Sequence, residues 1–398
     1  MEAVSWDSVI LGFIAATALT FVLNALLQDW WNDRQPSRAV RWVWHRVASK
    51  LPAILTKPLF RHVSLHKTQA GSICVGDLVI PGFHLLDGIS PQGIDFVVTS
   101  EQSFAYLPDE LRPLRRELEE QYRRRGAKGG NIPYNAETTA LKSFHFTRSE
   151  DGSEKPICRQ TVQRNEYFNI MAVHTNLSAI IPGTAMSVRD RYFKDRDPRI
   201  IEHPALFTAF PVNLAIITAD DRLLVVRRSE TVALNPGAYD SSVDEAVHTV
   251  KDRDSAGILR YDSAGRRALV DELGIESDKI ADLKFTAVGY DYRSHEYAIL
   301  GHARLSISYE AVMHRLHTAR DSAYEIAISN NKHFEVTGVP FEPFALSRFL
   351  QQHLTAERPI VSYGLACYLV AFLSQGYTHA SLDRPFRGDF FKRDDIIR

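Results

Sequence analysis

With 398 residues, 45% hydrophobic and 24% charged, the chain has ordinary globular composition and room for two or three domains, which excludes a disordered or fibrous protein. Its 47 basic and 48 acidic residues leave a formal charge of -1, so no global field recruits nucleic acid, and no nucleic-acid partner is expected. Cys74, Cys158 and Cys367 stand far apart with no CxxC pair, so neither a disulfide framework nor a zinc site can be read from them.

The chain opens on an exception to this globular picture. Val9 to Leu27 runs VILGFIAATALTFVLNALL without a charge, enough for one bilayer crossing at about 1.5 Å per residue. Trp6, Trp30, Trp31, Trp42 and Trp44 flank it, and the tryptophan ring, apolar with one polar N–H, favours the headgroup region. Glu2 and Asp7 precede the span, whereas Arg34, Arg38, Arg41, Arg46 and Lys50 follow it. Retention of the basic side predicts a single-pass anchor in 1–34 with the C-terminal body in the cytoplasm. The bland alternative is a buried core helix. Asn24, Thr17 and Thr20 give the span polar side chains through which two copies could pair as a homodimer.

Residues 35–56 read as a basic, tryptophan-rich juxtamembrane connector. Residues 57–199 read as an α+β domain of unassigned role. It has short β-type runs at Ser72 to Ile80 and Gly93 to Ser100, a highly charged helix from about Asp109 to Arg125, and a stretch rich in strand formers from Gln160 to Ile181. The run Arg123, Arg124, Arg125 before GAKGG suits a solvated helix end better than a phosphate site.

Residues 200–380 carry clearer signals. PVNLAIIT (Pro211 to Thr218) and RLLVVRR (Arg222 to Arg228), split by Ala219-Asp220-Asp221, predict a β-hairpin. A helix is predicted from about Ser263 to Leu273, stopped by Gly274. Strands follow over Leu283 to Ile307 and Phe334 to Phe341, with helices over Tyr309 to Ser329, Phe344 to Leu354 and Val361 to Ser374. This alternation predicts a mixed α/β fold with helices on a sheet.

The predicted helix 263–273 places positions 268, 271 and 272 on one face, read as exposed, with Leu269 and Leu273 on the core side. Adjacent carboxylates such as Asp271 and Glu272 suit a hard divalent cation, Mg²⁺ or Mn²⁺; a solvated acidic helix face is the plain alternative. The segment resembles the second half of the Nudix box, G-x5-E-x7-R-E-U-x-E-E-x-G-U. Arg267 matches the arginine, Leu269 the aliphatic residue, Asp271 and Glu272 the paired acids, and Gly274 with Ile275 the closing pair. Upstream, Leu223 to Ser229, Pro236-Gly237 and Tyr239 to Val243 fit the order of Nudix elements.

The resemblance, covering about Phe207 to Leu354, implies a Nudix-type mixed-sheet α/β/α sandwich and a metal-dependent hydrolase. Such an enzyme cleaves a nucleoside diphosphate linked to another group, so the partner would be a nucleotide-type small molecule. Two departures stand against it: Ala268 replaces a principal glutamate, and Glu245-Ala246 stands at the leading glycine, with 244–262 as an insertion. Glu245 or Asp252 could replace the lost acid. Glu335 could serve as base or be a surface residue, and Arg227 or Arg228 could grip a phosphate. Asp271 and Glu272 are the expected metal ligands, and Glu335, Arg267 and Glu245 the expected catalytic residues. The alternative is a catalytically inactive nucleotide sensor. His295, His302 and His333 lack metal-like spacing and are expected to be structural.

Overall fold

The computed structural model describes residues 73–127, 135–194, 210–230, 232, 234–321 and 333–398. The membrane span expected at 9–27 lies outside the described residues, and among those described no helix is long and apolar enough to cross a membrane.

The described strands are β1 (Ile73–Val75), β2 (Leu78–Ile80), β3 (Phe83–Ile89), β4 (Asp95–Phe104), β5 (Glu137–Arg148), β6 (Pro156–Glu166), β7 (Val212–Ile217), β8 (Arg222–Arg228), β9 (Tyr239–Asp240), β10 (Val243–Glu245), β11 (Ile280–Asp291), β12 (Glu296–Leu305) and β13 (His333–Pro340). The helices are α1 (Arg112–Ala127), α2 (Tyr167–His174), α3 (Val188–Tyr192), α4 (Tyr261–Leu273), α5 (Tyr309–Asp321), α6 (Pro343–His353), α7 (Ser362–Ser374) and α8 (His379–Asp383). The fold is mixed α/β.

The central sheet runs β13-β8-β7-β12-β11-β3, with β9 pairing β8 and β10 pairing β7. Strands β7 and β12 are parallel; the other pairs in it are antiparallel. Both faces are covered, which is why every residue of VNLAII in β7 is buried. Ala215, Ile217, Leu223 and Val225 face a core with α6 and α7, where Leu346, Leu350, Leu365 and Phe372 pack. Leu214, Ile216, Leu224 and Val226 face a second core with Leu269 and Leu273 of α4 and Val312 and Leu316 of α5. The sheet β4-β6-β5 closes that second core with Leu141, Phe144, Cys158 and Val162.

The division expected at 199/200 is therefore crossed. Strand β3 pairs with β11 as the edge of the central sheet, and β4–β6 roof one of its cores. All the described residues fall within one unit, 65–398. Hydrophobic alternation reads which face a strand buries, not which sheet it joins.

Two elements differ from their sequence reading. Ser72 to Ile80 is a hairpin rather than one run, because Gly76 turns the chain at φ +60. A Cβ there would collide with the backbone oxygens of Asp383 and Phe386, so only glycine suits the turn. The C-terminal segment clasps it: Gly76 N–H bonds Asp383 Oδ1 at 3.0 Å, Asp77 N–H bonds Phe386 O at 2.8 Å, and Gly388 N–H bonds Asp77 Oδ2 at 2.7 Å. In the second difference, strand β6 gives way at Tyr167 to helix α2. Met171 and Ala172 bury against Leu118 and Tyr122 of α1, so tertiary burial overrides β-propensity here.

Candidate functional site

Helix α4 ends as its sequence demands: Gly274 adopts φ 64, ψ 26, and its N–H bonds Val270 O at 3.0 Å. Its burial differs from expectation. Ala268 and Glu272, expected on an exposed face, are 0% and 1% exposed, alongside Leu269 and Leu273. Of the three positions only Asp271 faces solvent. The helix is packed on two sides. The sheet covers one side of α4, where Gly265 sits against Leu214 and Leu283. The β4-β6-β5 layer meets its first turn, where Tyr261 hydroxyl donates to Gln160 Oε1 at 2.5 Å.

Arg267 is the hub of the helix. Its Nε and Nη2 donate to Asp252 at 2.8 and 2.9 Å, Nη2 also reaches Ala246 O at 2.8 Å, and Nη1 lies 3.3 Å from both Glu245 and Asp271. Burial pulls the guanidinium pKa down, but the Asp252 hydrogen bonds and the Glu245 charge outweigh it and hold the pKa above its ordinary value. The structure thus brings together Glu245, Asp252, Arg267 and Asp271. The insertion that carries Asp252 is braced as well: His248 N–H bonds Asp252 Oδ2 at 2.7 Å, and Thr139 N–H of β5 bonds Val247 O at 3.1 Å.

This donor set does not fit Mg²⁺ or Mn²⁺. The carboxylates of Glu245, Asp252 and Asp271 converge on one guanidinium, and Glu272 is inside the core rather than beside Asp271 on the surface. An octahedral ion needs oxygens aimed at a shared empty point. Among the described residues no three His, Cys, Asp or Glu side chains are so arranged.

Glu335 lies away from this group. Register pairs it with Arg227, while Val336 pairs with Val226. Both valines belong to the core containing α4, so alternation sends Glu335 to the other face. There its charge, after burial, helps raise the pKa of Tyr239. The expected base is on the wrong side of the sheet for Asp271. The two arginines also differ from expectation, because both are buried and engaged within the protein. Arg227 donates to Gly237 O at 3.3 Å and Glu230 at 2.8 Å; Arg228 donates to Asp240 at 2.6 Å, Leu234 O at 3.2 Å and Asp244 at 3.3 Å.

Around Arg228 the structure gathers residues that spacing did not connect. Asp240 is 1% exposed; burial and the Asp244 charge push its carboxyl up, against the pull of Arg228. Glu296, which opens β12, is half-buried, and burial, with Asp244 and Asp291 nearby, raises it to about 7. Tyr363 at the start of α7 stands in the field of Asp240, Asp244, Glu296 and Arg228. These residues come from β8, β9, β10, β12 and α7. Arg228, Asp240 and Asp244 lie near a recognisable sequence pattern, whereas Glu296 and Tyr363 carried no signal.

His295 and His302 are held by hydrogen bonds within the protein. Arg189 Nη1 lies 2.7 Å from His295 Nε2, and Tyr290 hydroxyl 2.8 Å from its Nδ1. His302 bonds Ser374 and Gln375. The side chain of His333 lies outside the described residues.

No family model matches the chain, and no curated protein matches it. Among solved structures, the crystal structure of DR0079 from Deinococcus radiodurans aligns over 36% of this chain and 73% of its own, at 18% identity. Its TM-score is 0.25, a likeness too low to carry an argument.

Proposed function

We propose that the chain is a membrane-tethered, Nudix-like protein that binds a nucleotide-type small molecule without hydrolysing it. The Nudix-like part rests on the sequence order from Leu223 to Ile275 and on a box helix packed against a mixed sheet. The tether rests on the uncharged run from Val9 to Leu27. The non-hydrolytic part rests on one observation: Arg267 holds Glu245, Asp252 and Asp271, while the apolar Ala268 is sealed in the core. Carboxylates committed to a guanidinium are poor ligands for a cation that must displace it.

The test is to screen the purified full chain in detergent against nucleoside diphosphates linked to sugars, nucleosides or other groups, with and without Mg²⁺ and Mn²⁺. Thermal stabilisation by at least one compound, without metal dependence or cleavage, is the expected result. Metal-dependent cleavage that Glu272→Gln abolishes would instead establish the hydrolase reading.

A further inference from the structure

Helices α1, α2 and α3 bury their apolar residues in cores of their own. Leu111, Leu114, Val173, Ile181, Val188 and Phe193 belong to one, and Leu118, Tyr122, Met171 and Ala172 form another, on which Leu234 of the β8–β9 loop packs. Neither shares a buried residue with the two cores of the central sheet. This lobe is fastened to the sheet at the turn between β11 and β12. Arg189 of α3 donates from Nη1 to Tyr292 O at 3.1 Å and to His295 Nε2 at 2.7 Å, and from Nη2 to Arg293 O at 2.6 Å. His174 of α2 donates from Nδ1 to Ser294 O at 2.8 Å. Two side chains of the lobe thus hold four consecutive residues of the turn, and the last of them, His295, keeps a left-handed φ of 57 that is uncommon outside glycine.

The same bonds fix where the protons sit. A guanidinium only donates, so His295 Nε2 is the acceptor and the ring proton is on Nδ1, 2.8 Å from the Tyr290 hydroxyl. A carbonyl only accepts, so His174 carries its proton on Nδ1 and leaves Nε2 bare, buried and without a hydrogen-bond partner. A second proton on His295 would set two cations face to face and break the bond to Arg189. One on His174 would bury a charge with no acceptor. The other neighbours do not offset this. Phe193 stacks on the His295 ring at 4.2 Å, and Tyr292 stands edge-on to Tyr290 at 4.8 Å. Asp291 of β11 is taken up by Ser362 and Arg293, and Glu296 of β12 has Ser294, Asp244, Asp291 and Arg228 around it. Burial, the Arg189 charge and His174 lower His295 from 6.5 to about 3, and burial lowers His174 to about 4.

We propose that Arg189, His174 and His295 form an acid-released latch, and that the α1–α3 lobe opens from the sheet as one unit when the latch lets go, ahead of global unfolding. Opening at this seam breaks polar contacts and one ring stack while both lobe cores stay closed, which makes it the least costly place for the fold to part. The lobe remains tethered where β6 runs into α2, with Tyr167 N–H on Ala136 O and Phe168 N–H on Asn135 Oδ1, both at 2.9 Å. The open state takes up protons that the closed state excludes, so opening grows as pH falls below about 6.5. The latch needs no nucleotide.

The experiment is hydrogen–deuterium exchange read by mass spectrometry on the purified full chain in detergent at pH 7 and pH 5, corrected for the intrinsic pH dependence of exchange. Segments 167–193 and 289–297 should open about tenfold or more often at pH 5, while 212–217 and 362–374 keep their protection. Arg189→Ala should open the lobe segments at pH 7 already. The double variant His174→Gln with His295→Gln, whose amides donate and accept without titrating, should lose the acid response. Loss of protection in lobe and sheet together at pH 5, an unchanged lobe at pH 5, or an Arg189→Ala lobe as protected as the parent's overturns the proposal. So does a double variant that opens in acid as the parent does. If Arg189→Ala does not fold, the parent at the two pH values and the double variant still decide.

Discussion

Arg267 and Asp252 are joined by two hydrogen bonds, at 2.8 and 2.9 Å, between the box helix and the insertion that precedes it. The pair is the keystone of that insertion, since the Asp252 side chain is fully buried and also holds the His248 backbone. Arg267→Ala should therefore cost about 3–5 kcal/mol by stranding a buried carboxylate. Arg267→Lys, which keeps the charge and loses the fork, should fall between. Urea denaturation measures both. A cost below about 1 kcal/mol for the alanine variant would mean that the insertion does not depend on this pair.

Ala268→Glu should destabilise, although it rebuilds the acid of the box pattern. The site is closed, so the new carboxylate must be buried without a prepared partner, at a cost of about 2 kcal/mol or more. Asp271→Asn, on the exposed side, should change stability by less than about 1 kcal/mol. Thermal melts with and without Mg²⁺ decide the matter. An Ala268→Glu protein that melts like its parent and gains metal-dependent stability would reverse the argument.

Stability should respond to pH in two opposed ways. Glu296 is raised to about 7 by burial, above the usual unfolded carboxylate value of about 4.3. Its stabilising contribution is full below the unfolded value and is lost as pH rises through about 7. Glu296→Gln should then exceed the parent at about pH 8, by on the order of 1–3 kcal/mol, and match it near pH 4.

His174, His295 and His302 move the other way. Burial lowers them from 6.5 to about 4, about 3 and about 4. They contribute stability above 6.5 that is lost as pH falls towards those values. The parent should consequently melt progressively earlier between about pH 6.5 and pH 4. A profile that is flat over this interval would show that the three rings are not held neutral.

The proposed anchor makes its own prediction. The full chain should sediment with membranes and leave them only in detergent, and protease added to the cytoplasmic face should digest the C-terminal half. Digestion from the opposite face alone would reverse the orientation, and release by salt would remove the anchor.

Much of the fold was legible because its signals are local. The hairpin of β7 and β8, the glycine stop at Gly274, and helices α6 and α7 follow from alternation, capping and periodicity. Helix α2 was not legible: its apolar residues suit strand or helix, and contact with α1 decides. The grouping of Glu245, Asp252 and Asp271 was only half legible. Spacing offered each acid as a candidate, but the choice between a metal and Arg267 as their partner depends on how the 244–262 segment folds back. Burial of Ala268 and Glu272 depends on tertiary packing around α4, and no pattern within one helix can report it. Glu296 and Tyr363 join Asp244 through tertiary proximity alone.

The clasp between Gly76 and Asp383 closes a loop across 307 positions, and that between Gly388 and Asp77 one across 311. Contacts so distant in sequence are slow to form and come late. During synthesis the β1–β2 hairpin must wait, with Val75, Leu78 and Ile80 lacking their final neighbours, until Phe386 and Phe391 are available to share their core. The same stitches tie the hairpin mechanically to the far end of the described fold. A pull on the hairpin is passed directly to the C-terminal segment that carries Asp383, Phe386 and Gly388.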